Sequence, residues 1–320
     1  MSAADVWPAA CRSRLSRRSR SSKRVRVLTL VVTLVCGSGL AAGCESRGAH
    51  SASAVGAGQV DPAARSQLPA EILARGVLTI ATDPTYPPDE FRQSDGTLVG
   101  MDVDLARAVG VKLGVRVQFN QVQFRDILAG VQQGQYDIGV SSITDTTRRE
   151  ELGDFVTYFQ AGSSLLVKSG NPLTLYPDDE SLCGHRVAAQ DGTIEIDPVL
   201  SSRSAQCVAD GLPPITPIVV AAEADSRAAL LGGRADAMVE DAPIALYETA
   251  HSGGLLQVAG DQIDKAPYGF ALAKEDKPMD TAILRAMQDL IDDGEYAAIL
   301  SHWGLTAGKV QAATLDGAIN

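Results

Sequence analysis

Histidine, cysteine and surplus positive charge are all scarce in this 320-residue chain, and each shortage closes off a class of function. The four histidines, His50, His185, His251 and His302, stand in unrelated contexts, and none has metal-ligand spacing. No H-E-x-x-H, P-loop or G-x-S-x-G motif occurs, so zinc hydrolysis, phosphate cradling and the strained nucleophile turn find no support. Carboxylates are plentiful, but an acidic surface accounts for them. The formal net charge of −11 argues against a nucleic-acid partner. What remains is an ordinary folded composition, 45% hydrophobic and 21% charged, in a chain long enough for two domains.

The charge is unevenly placed. Residues 1–43 hold eight Arg/Lys and one acid, leaving 20 basic and 38 acidic residues for the rest. A basic stretch over 12–26 precedes an apolar run over 27–40, too short and too terminal for a membrane span. The run ends in L-A-A-G-C at 40–44, which resembles the lipobox of bacterial lipoproteins. That resemblance implies a signal peptide over 1–43, lipid on Cys44 and residence at the outer face of the cytoplasmic membrane. Arg17-Arg18 lacks the apolar partners of a twin-arginine signal, so the general export route is expected. Cys11 and Cys36 then leave with the leader. Cys183 and Cys207 remain as an even pair in an oxidising compartment, either a disulfide or two buried thiols.

Residues 45–66 are rich in Ser, Ala and Gly without apolar periodicity, so a flexible tether is expected over 44–67. Beyond it, strands at 77–81, 115–119 and 137–141 alternate with helices at 68–75, 100–113 and 124–133. This alternation predicts an α/β lobe with a mostly parallel sheet. The segment 83–89, with three prolines, is expected to be a loop. The second half echoes the first. G-x-x-D follows a helix at Gly134/Asp137 and again at Gly233/Asp236, each leading into a strand. Ser141 and Asp241 would then lie at the carboxyl ends of corresponding strands, where open α/β sheets bind ligands. A return crossing is expected at 268–273, helices at 279–292 and up to Gly304, and a frayed tail after Leu305.

The most informative stretch is D-I-G-V-S-S-I-T-D-T-T-R-R-E at 137–150. It combines a strand end, the hydroxyls of Ser141, Ser142 and Thr144, and a T-x-x-E capping box at 147–150 that predicts a short helix. Arg148 and Arg149 fall at the positive end of that helix, which makes sense if an arginine faces an anion. Arginine suits a carboxylate because its planar fork matches two oxygens. Arg149 is the candidate, supported by Thr144 and by the Gly192 and Thr193 amides of the Q-D-G-T turn. Asp241 is the candidate for an ammonium, although in D-A-P it could equally cap the helix begun by Ala242 and Pro243. Tyr86 and Phe124 could flank a ligand stem, or serve as core.

R-G-V-L-T-I-A-T-D-P-T-Y-P-P at 75–88, G-M-D-V-D-L-A at 100–106, F-R-D-I-L-A-G-V-Q-Q-G-Q-Y-D at 124–137 and S-S-I-T-D-T-T-R-R-E at 141–150 occur in that order. Q-D-G-T-I-E at 190–195 and G-R-A-D-A-M-V-E-D-A-P at 233–243 follow. Together these resemble the family 3 extracellular solute-binding proteins, which feed polar amino acids to ABC importers. The resemblance implies the two-lobed α/β fold of periplasmic binding proteins (type 2), with a mixed, mostly parallel sheet flanked by helices in each lobe. It places lobe 1 at 68–162 plus 268–306, lobe 2 at 163–267 and a tail at 307–320, with crossings near 161–165 and 264–268. It implies that Ser141, Ser142, Thr144, Arg149 and Thr193 bind the α-carboxylate, Asp241 the α-amino group, and Asp83, Tyr86 and Phe124 the side-chain end. No cofactor and no catalysis are implied; the partners are one small ligand and a membrane permease, and the protein acts as a monomer. One position departs from the family, which often has an aromatic where this chain has Asp89. An acid there would favour a basic or polar ligand, or face solvent. Two rivals share the fold: a dehydratase of prephenate-like or arogenate-like acids, and a sensor feeding a receptor.

Overall fold

The computed structural model describes residues 58–319; the leader and Cys44 lie outside them. One eight-stranded sheet carries both lobes, because two long strands run through its middle. These are β7 (Gly153–Lys168) and β11 (Leu256–Ala273), paired antiparallel along most of their length. On one side lie β6 (Ile138–Gly139), β1 (Val77–Thr82) and β5 (Arg116–Gln121), with β1 parallel to both neighbours. On the other lie β10 (Ala237–Asp241), β8 (Arg186–Gln190) and β9 (Thr216–Val220), again all parallel. The full order is β5-β1-β6-β11-β7-β10-β8-β9. A small antiparallel sheet of β2 (Thr85–Tyr86), β3 (Glu90–Arg92) and β4 (Leu98–Val99) stands apart. Its first strand lies inside the segment expected to be a loop.

The lobes have separate cores. Leu78, Ile80, Leu105, Val109 and Met287 belong to the larger one, where α3 (Met101–Leu113), α9 (Lys277–Asp292) and α10 (Glu295–Trp303) pack together. Leu165, Val187, Val199 and Cys207 belong to the second lobe, with α6 (Ser201–Ala209) over β8. Between them the β7/β11 pairing breaks step: Ala259 faces Leu165, Ile263 faces Ser163 and Ala266 faces Ala161. These irregularities, at Ala259/Ile263 and Ile263/Ala266, interrupt the ladder as bulges do. Cys183 and Cys207 form a disulfide, tying the start of β8 to α6.

The sequence echo has a structural cause. Asp137 accepts from the Thr79 amide at 2.7 Å and pairs with Arg75, while Asp236 accepts from the Arg186 amide at 3.0 Å and pairs with that residue's guanidinium. In each lobe the G-x-x-D aspartate anchors the first parallel strand, and the preceding glycine (Gly134, φ 67°; Gly233, φ 76°) makes the left-handed turn that brings it there.

Three expectations need correcting. The tether is ordered earlier than composition suggests: α1 (Pro62–Arg65) is capped by Asp61, whose carboxylate also takes the Arg285 guanidinium. A second short helix, α2 (Ala70–Arg75), follows. The tail does not fray. Thr314, Leu315 and Asp316 lie along the first half of β7, where Thr157 N donates to Thr314 O and Asp316 N to Phe155 O. On this side the half-strand would otherwise be an open edge, since β10 covers only 163–166. The cap of α5 (Thr147–Glu150) is Thr146, whose hydroxyl accepts from Arg149 N at 3.2 Å. Glu150 accepts from Ala318 N in the docked tail instead of closing a capping box.

Candidate functional site

Each lobe delivers its polar residues from the carboxyl ends of its parallel strands. From lobe 1 come Asp83 just after β1, Tyr86 on β2, Phe124 at the start of α4 (Phe124–Gln132), Ser141 and Ser142 after β6, then Thr144 and Arg149. From lobe 2 come Gln190 at the end of β8, Gly192 and Thr193 in the following turn, and Asp241 at the end of β10. Tyr86, Phe124, Ser141, Ser142, Thr144, Arg149, Thr193 and Asp241 line one cavity of about 10 Å³. Asp83 and Gly192 abut it through hydrogen bonds to residues on its wall.

The lobes touch directly. Gln190 Nε2 donates to Asp83 Oδ2 at 3.0 Å, and Tyr86 Oη donates to Gln190 Oε1. Arg149 lies across the gap, giving Nη1 to Thr144 O at 2.7 Å in its own lobe and Nη2 to Gly192 O at 3.1 Å in the other. Its guanidinium sits 5.5 Å from the Phe124 ring centre, and Phe124 in turn packs 6.0 Å from Tyr86. Burial lowers the Arg149 pKa, opposed by Glu195 and Asp241, so the guanidinium stays charged among acids. Gly192 has φ 84°, and a Cβ there would meet Arg125 Cβ at 2.7 Å, so this approach of the lobes requires glycine. Arg125–Asp191 and Arg148–Asp197, both at 2.8 Å, bridge the rim.

Asp241 stands at the N-cap of α8 (Ala242–His251), yet its side chain caps nothing. It lies against the Tyr268 hydroxyl, and burial followed by Glu195 raises its pKa well above the usual carboxylate range. Burial also raises Asp83, whose carboxylate accepts from Gln190 and from Phe124 N. The Thr193 hydroxyl is turned into its own loop, donating to Gln190 O at 2.8 Å.

Ser141 and Ser142 use their hydroxyls away from the cavity. Ser141 Oγ donates to Glu90 at 2.6 Å and Ser142 Oγ to Asp89 at 2.9 Å, while Ser142 N donates to Asp102 at 2.7 Å. Asp89, Glu90 and Asp102 form a fully buried acidic cluster beneath the strand end. Asp89 therefore faces neither ligand nor solvent, contrary to both sequence expectations, because the 86–89 turn points its side chain inward under Ser142. Burial, then Asp102, pushes Asp89 well up, and burial pushes Asp102 up to about 6.

Sequence reasoning missed Gln190 as the cross-lobe donor, and Glu195, Glu223 and Glu240 as cavity residues. Glu240 carried a usable signal, a second charge beside Asp241 at the end of a strand that opens A-M-V. Glu223 carried none. An open groove of about 910 Å³ runs outside Arg149, but its rim charges are matched, Arg148 with Asp197 and Arg203 with Asp264. Among the described residues, no group of three or more His, Cys, Asp or Glu is placed to hold a metal ion.

A two-lobed α/β body whose junction encloses a cavity lined by a guanidinium and several carboxylates has the architecture of a binding protein. The profile of the Bacterial extracellular solute-binding proteins, family 3, matches residues 78–306, and the chain belongs to that family. It is 35% identical to the arginine-binding protein ArgT of Corynebacterium glutamicum over 80% of this chain and 83% of that one. Among solved structures, an ancestral arginine-binding protein bound to arginine superposes with a TM-score of 0.65 at 31% identity, covering 72% of this chain and 98% of its own. The ancestral amino acid-binding protein AncCDT-1, a precursor of cyclohexadienyl dehydratase, gives 0.63 at 32%, covering 73% and 97%.

Proposed function

We propose that this protein is an extracytoplasmic solute-binding lipoprotein that captures a basic amino acid, with arginine the first candidate, and hands it to an ABC permease. The observation that carries the reading is a charge imbalance. One guanidinium, Arg149, shares a cavity with Glu195, Glu223, Glu240 and Asp241, with Asp83 close by. A zwitterion would neutralise Arg149 through its carboxylate and Asp241 through its ammonium, and the surplus acids call for a further positive charge. The likeness to the arginine-binding protein ArgT supports the same choice.

Binding then proceeds by hinge motion of 68–162 plus 268–306 against 163–267 about the β7/β11 bulges. A cavity of about 10 Å³ holds roughly one water, so an amino acid enters only when the Arg149–Gly192 and Tyr86–Gln190 bonds open. Closure over the ligand buries it, and the closed form is what the permease reads. The protein acts as a monomer, held at the membrane by lipid on Cys44, and it is not an enzyme.

A thermal-shift screen of the twenty amino acids tests the reading, since a ligand that binds only the folded form raises the melting temperature. Arginine and lysine should give the largest shifts. No shift with any amino acid, together with turnover of prephenate or arogenate, would overturn it in favour of the dehydratase. Cys44→Ser should release the protein from membranes; continued sedimentation with them would refute the anchor.

A further inference from the structure

Glu223 and Glu240 are buried acids, three of whose four carboxyl oxygens meet no donor. Glu223 opens α7 (Glu223–Leu231) and is 4% exposed; Glu240 is the penultimate residue of β10 and 2% exposed. The two carboxyls lie against each other on the cavity wall. Neither oxygen of Glu240, nor Oε1 of Glu223, receives a hydrogen bond from an N–H or hydroxyl group. Buried polar atoms are seldom left so, and here both belong to one site.

The surrounding charges are otherwise engaged. Arg227 of α7 gives its guanidinium to Glu248 of α8 at 2.8 Å. Glu195 accepts from Ser163 Oγ at 2.7 Å, and Asp241 faces Tyr268. Asp83, on the opposite lobe, already has Gln190 and the Phe124 amide. Two touching carboxyls in a desolvated place cannot both ionise without a cation in contact. In accord with this, burial followed by Glu223 pushes Glu240 well above the ordinary range, and burial pushes Glu223 up to about 7.

We propose that Glu223 and Glu240 form the subsite for the ligand's distal cation, which they take in exchange for a proton released to solvent. This rests on the amino-acid reading above: Arg149 and Asp241 take the two charged groups on the α-carbon, and the carboxyl pair takes the third. Before binding, the pair is protonated and neutral. As the cation arrives, one carboxyl O–H bond breaks, its electron pair stays on oxygen and the proton passes to water. The cation's N–H groups then fill the empty acceptors. A guanidinium suits this best, with five donors in a planar fork. A neutral ureido or amide end brings no charge to drive the ionisation. Discrimination against neutral isosteres and dependence on pH thus share one origin. Asp241 also gives up a proton on meeting an α-ammonium, but it does so for every amino acid. The diagnostic quantity is therefore the difference between a cationic and a neutral ligand.

Calorimetric titration of the purified protein with L-arginine and L-citrulline, at about pH 6 in phosphate and in imidazole, measures that difference. Arginine should release about one proton more than citrulline, and the ratio of its affinity to that of citrulline should rise by up to about tenfold per pH unit between about pH 5 and 7. Glu223→Gln and Glu240→Gln should abolish the extra proton and cut the preference for arginine at least about tenfold. Where citrulline binds too weakly to titrate, the doubly substituted protein supplies the reference. The wild-type measurement needs no variant, so misfolding cannot mask it. Equal proton release for both ligands, or an undiminished arginine preference in the double variant, would overturn the subsite and leave amino-acid binding standing. Binding of no amino acid at all would overturn both.

Discussion

Replacing Arg149 separates the two things its guanidinium does. Among the described residues it is the sole cation on the cavity wall, and it holds the lobes together through Gly192 O at 3.1 Å. If it also grips the ligand's α-carboxylate, Arg149→Ala removes a charge-assisted, two-pronged contact and leaves that carboxylate buried without a partner. The loss should be about 3 kcal/mol, on the order of a hundredfold in Kd. Arg149→Lys keeps the charge but loses the fork and the geometry that reaches both Thr144 O and Gly192 O, so an intermediate loss is expected. The assay is calorimetric titration with arginine on all three proteins, each first shown to melt cooperatively. An unchanged Kd in Arg149→Ala would refute the carboxylate assignment. A fall in which Lys and Ala are equally poor would show that the fork matters more than the charge.

Cys183→Ser with Cys207→Ser should cost about 3 kcal/mol of stability, seen as a lower denaturation midpoint, with arginine affinity unchanged because both residues lie behind β8 away from the cavity. The melting temperature should fall between about pH 4 and 7. Burial raises Asp145 and Asp280 to about 7, so their contribution is complete below about 4, the unfolded value, and is lost as pH climbs through the folded one. Asp145→Asn, still able to accept from Gly317 N, should flatten that decline; an unaltered slope would exclude Asp145 as a source. Deleting residues 310–320 should destabilise the protein by about 3 kcal/mol, as the β7 edge and Glu150 lose their partners; an unchanged midpoint would mean that the docked tail contributes nothing.

The parallel strands and their helices were legible because apolar periodicity and glycine stops mark them directly. The G-x-x-D echo was legible too, since each lobe needs an aspartate to anchor its first strand. Sequence could not show that β7 and β11 run through both lobes, because their pairing joins residues far apart in the chain and local pattern marks only short crossings. The tail read as loose because its small residues have no core pattern; their order comes from bonding to a strand edge 157 positions away. In the site, charge type pointed to Arg149 and Asp241. Ser141 and Ser142 illustrate the limit: their residue types suit a carboxylate, but their hydroxyls turn to Asp89 and Glu90, a cluster formed only in three dimensions.

Trp303 lies one side chain back from a contact between the lobes. Its indole donates to Asp104 at 3.0 Å and its ring packs edge-on, 6.0 Å from Phe91; Phe91 lies 6.0 Å from Tyr247 of the other lobe. Trp7, the chain's other tryptophan, lies before residue 44, so a protein cleaved before Cys44, as proposed, would carry a single indole. If the cleft opens as proposed, the contact between Phe91 and Tyr247 should loosen and the Trp303 emission should change, a signal readable in stopped flow without any dye attached.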